Sequence, residues 1–301
     1  MNAPERSLGV TGASGQLGKA VLQRLRQERP QGARVTGFTR SDATHHQIMG
    51  LADMTAIADF AAPAIELEHS FFGIDTILLV SIEGEDDWRE RVQADAVRAA
   101  ARAGVRRIVY TSFFDVAPDS PSRVAKVHRC TEEAIAATDC HWTFLRNGPY
   151  LDNAVLRIAH AARHGGVFRM AAGDARLPFI SRDDLAFAAA SSLANDAEAN
   201  RAFRLGGPQL LSFHELAALV GAKLNMPVRY EAIEDDAYQA ELQAAGLPPE
   251  MVARRLAYVR AMREGFMTAL SPDFESLTGR PPQTASAAIA AMDLSAEKPM
   301  H

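Results

Sequence analysis

Only two cysteines, Cys130 and Cys140, occur in the 301-residue chain, too few for a disulfide framework or a cysteine-rich metal cluster. Both are expected to lie reduced in or near the core. Long hydrophobic runs are missing too. No apolar stretch approaches the roughly 20 residues that span a bilayer, and the opening Met1-Asn2-Ala3-Pro4-Glu5-Arg6 lacks the apolar centre of a signal peptide. A cytoplasmic protein without membrane contact is the expectation. Nor is there a basic stripe: the net charge is −5, which gives DNA or an anionic membrane no electrostatic footprint. What remains is 48% hydrophobic and 23% charged, the profile of a globular protein whose partner is a small molecule or another protein, a homodimer included. No metal site is expected.

Against these absences stands one dense motif. Leu8-Gly9-Val10-Thr11-Gly12-Ala13-Ser14-Gly15-Gln16-Leu17-Gly18 reads as a strand, a glycine-rich turn and the start of a helix. Glycines spaced G-x-x-G-x-x-G let the chain turn sharply, bring bare backbone close to a pyrophosphate and pack the helix onto its strand. The helix start adds free N–H groups and a positive dipole end. A glycine trio alone is weak, but Val21, Leu22 and Leu25 follow at helical spacing and the strand Arg34–Arg40 closes a βαβ unit of about 30 residues. The motif therefore predicts dinucleotide binding.

Strand-like and helical runs alternate through the first half, with strands near 54–58, 75–81, 105–112 and 141–147 and helices near 88–103 and 122–138. The pattern predicts an α/β fold, a Rossmann-like doubly wound parallel sheet with a smaller, mainly helical C-terminal lobe. Residues 1–150 are assigned to the nucleotide domain, the sheet being completed by segments near 178–210. Residues 151–301 are mostly the substrate lobe. Beyond Tyr150 helices dominate, with strand candidates at 202–205 and 228–230, and Ser212-Phe213-His214-Glu215 forms a capping box. The tail through Ser295-Ala296-Glu297-Lys298-Pro299 is expected to fray.

An acidic residue ending the second strand would bond the ribose 2′-OH of NAD, whereas arginine suits the 2′-phosphate of NADP. This strand ends in Arg40, which favours NADP (NADPH), while Asp42 keeps NAD open. Asp59 and Phe60 after the third strand would cover the adenine, unless Phe60 is core.

These pieces resemble the NmrA-like, atypical branch of the short-chain dehydrogenase/reductases, within it the bacterial NADPH:quinone oxidoreductases and triphenylmethane-dye reductases. The likeness is carried by Thr11 to Gly18, Arg40, Leu78-Leu79-Val80-Ser81, Tyr110-Thr111-Ser112 and His128 followed by Thr131-Glu132. It continues through Leu145 to Tyr150, Gly173-Asp174, Arg182 to Ala186 and Leu277 to Pro282, nearly the whole chain. The resemblance implies that Gly12, Gly15, Gln16, Leu17 and Gly18 cradle the pyrophosphate, with Thr11 and Ser14 in the same turn. It places Arg40 on the 2′-phosphate, Ser81 near the ribose, and Asn147, Gly148 and Tyr150 beside nicotinamide and substrate. Ser41-Asp42-Ala43-Thr44 departs from close relatives, which often carry a second basic residue there.

Typical dehydrogenases of this superfamily use Tyr-x-x-x-Lys, yet Ser122 stands four residues before Lys126. Ketone reduction leaves a strongly basic alkoxide that needs a positioned acid, whereas a quinone gives a phenolate of pKa near 10, as for tyrosine. The missing tyrosine therefore selects for undemanding hydride acceptors: quinones, dyes, azo compounds. His128 is the remaining titratable candidate, although it can equally pair with Glu132 at i,i+4. Lys126 either touches the cofactor or faces solvent. Ser112 either bonds the cofactor or caps its strand, and Tyr150 either walls the substrate site or packs between lobes. The competing function is an NAD(P)-sensing regulator that binds nucleotide and a protein partner without turnover. A reductase of plant-type phenolics or a sugar-nucleotide enzyme ranks behind both.

Overall fold

In the computed structural model, which describes residues 6–195 and 200–295, the alternating first half winds into a parallel sheet. In chain order it runs β1 (Ser7–Val10), α1 (Gln16–Glu28), β2 (Arg34–Thr39), a 3-10 segment (Asp42–Ile48), β3 (Met54–Ile57), α2 (Ala64–Phe71), β4 (Thr76–Leu79), α3 (Asp86–Arg102), β5 (Arg107–Phe113), α4 (Arg123–Ala136) and β6 (His141–Asn147). There follow α5 (Leu151–Arg163), β7 (Val167–Met170), β8 (Arg176–Leu177), α6 (Arg182–Ala194), β9 (Arg201–Leu205), β10 (Leu211–Ser212), α7 (Phe213–Leu224) and β11 (Arg229–Ala232). Helices α8 (Asp235–Ala244), α9 (Pro249–Arg263), α10 (Asp273–Thr278) and α11 (Ala285–Ala291) complete the described chain. The tail expected to fray lies, beyond Ser295, outside the described residues.

The sheet order is β3-β2-β1-β4-β5-β6-β9, all parallel. The direction of winding reverses between β1 and β4, and open sheets of this kind take ligands in the crevice beyond the strand ends at such a switch point. The longest pairing, β5 with β6, runs from Arg107 opposite His141 to Phe113 opposite Asn147 and so aligns the ends that carry Ser112 and Asn147.

Each face of the sheet has its own core. On one side Leu17, Val21, Leu22 and Leu25 of α1 meet Leu185, Ala189 and Leu193 of α6 over Val10, Leu78 and Val109. On the other, Phe71, Val97 and Ile135 from α2, α3 and α4 cover Ile77, Ile108 and Phe144. Burying one such aliphatic side chain stabilises by about 1.5–3 kcal/mol, so the flanking helices are held firmly on both faces of the sheet. A third core of α5, α7, α9, α11, β7 and β11 forms the rest.

The short pairs β8 with β10 and β7 with β11 were not expected from the sequence. Two-residue strands carry no periodicity, and β7 finds its partner some sixty residues on. The capping box is present in full: Ser212 Oγ accepts from the Glu215 N–H and the Glu215 carboxylate accepts from the Ser212 N–H.

Candidate functional site

The glycine turn is built by close backbone approach. Gly12 sits at φ +57°, and a Cβ on Gly18 would fall 2.3 Å from the Gly12 carbonyl oxygen, so a side chain at either position is strained. The Thr11 N–H and Oγ1 both donate to the Leu78 carbonyl (3.0 and 3.1 Å), while Oγ1 accepts from the Val80 N–H at 2.9 Å. This one side chain stitches β1 to β4 at the switch point. Gly15 opens α1 without a side-chain cap, and no acidic residue stands in the first turn. The N–H groups there stay available for an anion. Gly12, Gly15 and Gln16 are exposed and Ser14 half-buried, whereas the Leu17 side chain is core and can contribute only its backbone.

Arg40 follows β2 directly, exposed on the surface, with no ion-pair partner among the described residues. Asp42 points to solvent, its side chain 85% exposed and 3.5 Å from His45. Asp59 closes a local turn by accepting from the Ala61 N–H at 3.0 Å. Phe60 is buried with Phe38 and Phe71 in the core, so its ring is not free to cover an adenine.

Behind the crevice lies a buried polar network. Ser81 Oγ donates to Gln93 Oε1 at 2.9 Å and accepts from Arg89 Nη2 at 3.3 Å, and the Ser81 N–H donates to Thr111 Oγ1. Gln93 Nε2 donates to Thr131 Oγ1, which donates to the Val127 carbonyl. Tyr110 Oη lies 2.9 Å from His128 Nδ1. Burial pushes the Tyr110 phenol up to about 12. Burial first, and then the Arg89 charge, push His128 down to about 3. Both are therefore neutral at pH 7. The Tyr110 phenol also lies within hydrogen-bond reach of Ser81 and Thr131, and the direction of its bond to His128 follows the histidine tautomer.

This arrangement changes two sequence expectations. His128 does not pair with Glu132, because Arg146 on the adjacent strand takes that carboxylate bidentately, Nε to Oε1 at 3.0 Å and Nη2 to Oε2 at 2.6 Å. Ser112 donates to the same carboxylate at 2.6 Å and is thereby held in the sheet. Nor can a histidine kept neutral serve as a charged proton donor near neutrality. Lys126 faces outward, its side chain 57% exposed and 3.1 Å from Glu90 of α3, whose hydrogen bond raises its pKa. Ser122 is the buried N-cap of α4, accepting from the Ala125 N–H.

At the end of β6, Asn147 Nδ2 donates to Tyr150 Oη at 3.1 Å, and the buried Asn147 Oδ1 has no hydrogen-bond partner. Gly148 is pinned by its N–H to the Leu205 carbonyl, and a Cβ there would meet that oxygen at 2.8 Å. Tyr150 is half-buried, its ring 5.7 Å from the Arg182 guanidinium, and burial raises its pKa. The C-terminal ends of β1, β4, β5 and β6 thus carry the glycine turn, Ser81, Ser112, Asn147 and, just beyond, Tyr150, while His128 of α4 bonds Tyr110 of β5 and Lys126 is exposed beside Glu90. Sequence reasoning passed over Arg89 and Gln93, whose helix α3 gave only an amphipathic signal, and treated Tyr110 as strand. A bare anion cradle and an orphaned buried amide oxygen fit a dinucleotide. Among the described residues no cluster of three or more His, Cys, Asp or Glu could hold a metal, and no helix is long and apolar enough to cross a membrane.

Known proteins share this design over most of their length. The family described as NAD(P)H-binding matches residues 12–196. The (4-alkanoyl-5-oxo-2,5-dihydrofuran-3-yl)methyl phosphate reductase of Streptomyces griseus subsp. griseus is 30% identical over 273 residues, 90% of this chain and 93% of that protein. Quinone oxidoreductase 2 of Escherichia coli (strain K12) is 31% identical over 241 residues, 80% and 82% respectively. The crystal structure of a Citrobacter sp. triphenylmethane reductase complexed with NADP(H) matches with a TM-score of 0.83 at 27% identity, over 94% of this chain and 98% of that one.

Proposed function

This chain belongs to the NAD(P)H-binding family, and from that premise we propose that it is an oxidoreductase passing hydride from NADPH to a quinone or a similar electrophilic acceptor, such as a dye or an azo compound. The bound nicotinamide supplies the hydride. The backbone of Gly12, Gly15 and Gln16 holds the pyrophosphate, Arg40 meets the 2′-phosphate, and Asn147 Oδ1 accepts a hydrogen bond from the cofactor. Tyr150 and Gly148 wall the acceptor side. The names of two relatives, a quinone oxidoreductase and a triphenylmethane reductase, support acceptors of this kind. The segment up to residue 150, with α6, β9 and α10, forms the nucleotide side, and the third core forms the acceptor lobe.

The observation that carries this reading is an open nucleotide cradle beside a site without a charged acid. Ser122 caps a helix where the superfamily's tyrosine would stand, Lys126 turns to Glu90, and His128 is neutral. An alkoxide product would need a strong positioned acid. A quinone takes up the hydride and one solvent proton to leave as hydroquinone, and its phenolate stage, of pKa near 10, demands only a neutral donor or water. A neutral His128 that carries its ring proton on Nε2 would be such a donor. Alignment of the two reactants and exclusion of water by the acceptor lobe then supply the acceleration.

Purified protein mixed with NADPH and a panel of benzoquinones, naphthoquinones and dyes is expected to oxidise the cofactor well above the protein-free rate. Cofactor oxidation at background with every acceptor overturns the proposal. The neutral site equally suits an NAD(P) sensor, and tight nucleotide binding without turnover, with a protein partner recovered on the nucleotide-bound form, is the result that would favour it.

A further inference from the structure

The two edges of the seven-stranded sheet are built in opposite ways. At one edge β9 carries Arg201 and Arg204 and lies under α10. The Arg204 N–H donates to Asp273 Oδ2 at 2.8 Å, Arg201 Nη2 stands 3.4 Å from Ser276 Oγ, and Phe274 of α10 is buried in the same core as Phe203. Charge and a covering helix are two of the ways in which a sheet edge is kept from pairing with another chain. At the other edge β3 reads Met54-Thr55-Ala56-Ile57, without a charge or a proline, and every residue of it but Ala56 is exposed. Nothing among the described residues pairs with its outer side.

Apolar surface collects at this open edge. Six large hydrophobic residues are exposed among those described, and five of them, Met49, Met54, Ile57, Ile65 and Phe72, fall in β3, the turn before it and the helix after it, α2 with its cap. Phe71 of α2 packs edge-on against Phe38 of β2, ring centres 5.4 Å apart, and Ala56 lies against the same core, so that α2 flanks the open strand. The five exposures run from 40% to 81%. With roughly 200 Å² for each such side chain when fully open, they present on the order of 600 Å², the upper end of what a monomer leaves uncovered and most of the roughly 800 Å² that a standard interface takes from each partner.

The backbone of β3 is equally suited to a copy of itself. The Ala58 N–H donates to the Thr39 carbonyl of β2 at 2.8 Å, and Thr55 to Ile57 lie opposite Gly37 to Thr39. By the alternation of a strand, the N–H and C=O of Ala56 then face β2, while those of Thr55 and Ile57 face outward. A two-fold axis at Ala56 sets Thr55 opposite Ile57 of the partner subunit, each pair exchanging both of its backbone hydrogen bonds, and such β-branched pairs add to sheet stability. Ala56, the small residue on the axis, meets only its own counterpart.

We infer that two copies of this chain join through their β3 edges, antiparallel about Ala56, into one continuous sheet, with Ile65 and Phe72 of the two α2 helices beside the seam. The pairing stands or falls independently of hydride transfer.

The test is sedimentation equilibrium of the full chain at micromolar concentration, where a dimer is expected. I57K changes an exposed position and should weaken dimerisation at least about 100-fold, since the symmetry sets the lysine in the seam twice, while far-UV circular dichroism stays that of the wild type. F72K serves if I57K fails to fold. The register has its own readout: Ala56 would stand about 4.5 Å, Cα to Cα, from its counterpart as a pair without hydrogen bonds, inside the roughly 4.4–6.8 Å span of a disulfide. A56C should therefore oxidise to a covalent dimer that wild type, with only Cys130 and Cys140, does not form. A monomeric wild type, a dimer unchanged in a folded I57K or F72K, or an A56C that does not cross-link overturns the inference.

Discussion

Lowering the pH from 7 to 5 probes whether His128 is held neutral. Its ring is buried against Tyr110, and its pKa falls to about 3 from an ordinary value of 6.5. In the unfolded chain the imidazole takes up a proton as pH falls through about 6.5, while the folded protein refuses it until about 3. The unfolded state therefore binds more protons throughout that window, and stability rises with pH across it. At pH 5 the loss relative to neutral pH is set by the unfolded pKa alone, since the native ring is uncharged there, and amounts to about 2 kcal/mol. The assay is urea unfolding followed by tryptophan fluorescence at half-unit pH steps, on wild type and H128Q. The other histidines contribute alike to both curves. Wild type should lose about 2 kcal/mol more than H128Q between pH 7 and pH 5. Parallel curves, or an imidazole resonance of His128 titrating near 6.5, would refute the reasoning, and with it the neutral-donor role.

Gly18→Ala places a methyl group 2.3 Å from the Gly12 carbonyl and 2.8 Å from Ala13 Cα; overpacking of this kind costs about 1–3 kcal/mol, and thermal unfolding should fall together with NADPH affinity, an unchanged affinity disproving the cradle. Arg40→Ala should weaken NADPH by about 100-fold and NADH by less than about twofold, and equal losses in calorimetry would mean that Arg40 does not meet the 2′-phosphate. Lys126→Ala breaks only an exposed ion pair with Glu90 and should change stability by less than about 0.5 kcal/mol and NADPH turnover by less than about twofold; a collapse of kcat would put Lys126 back in the site. Glu132→Ala strands Arg146 and removes the acceptor of Ser112, for which about 3–5 kcal/mol of lost stability is expected in urea unfolding.

The glycine turn, the strands of the first half and the capping box at Ser212 were legible because their signals are local: spacing, alternation, and two residues three apart. The elements that escaped depend on partners far away in the chain. Strand β7 exists because β11 lies beside it. Asp184, fully buried, is satisfied by Arg280 and the Gln283 N–H almost a hundred residues on. The His128–Glu132 pair was a sound local expectation that lost to Arg146, because a bidentate guanidinium on the neighbouring strand satisfies both carboxylate oxygens at once. Phe60 shows the same limit, since nothing local distinguishes an aromatic ring under the sheet from one at its edge.

The missing tyrosine and the neutral histidine have one physical origin. The buried network ties Ser81, Gln93 and Thr131 together, and Arg89 stands close by, 3.9 Å from Asp86 yet still near enough to push the His128 pKa down. A second cation would be repelled by Arg89 and stripped of water, so protonating His128 at neutral pH is unfavourable by both causes. On the proposed reading, a site arranged in this way would orient an acceptor and offer it neutral hydrogen bonds, without a charged acid for a strongly basic product. Restoring acid chemistry would therefore take more than a tyrosine at Ser122. That position caps α4 and is buried, so Ser122→Tyr loses the cap and overfills the space beneath it without acquiring a lysine partner, because Lys126 remains bound to Glu90 on the outer face. On the proposed reading, an acceptor preference would follow from the packing of α3 and α4 on the sheet rather than from one absent side chain.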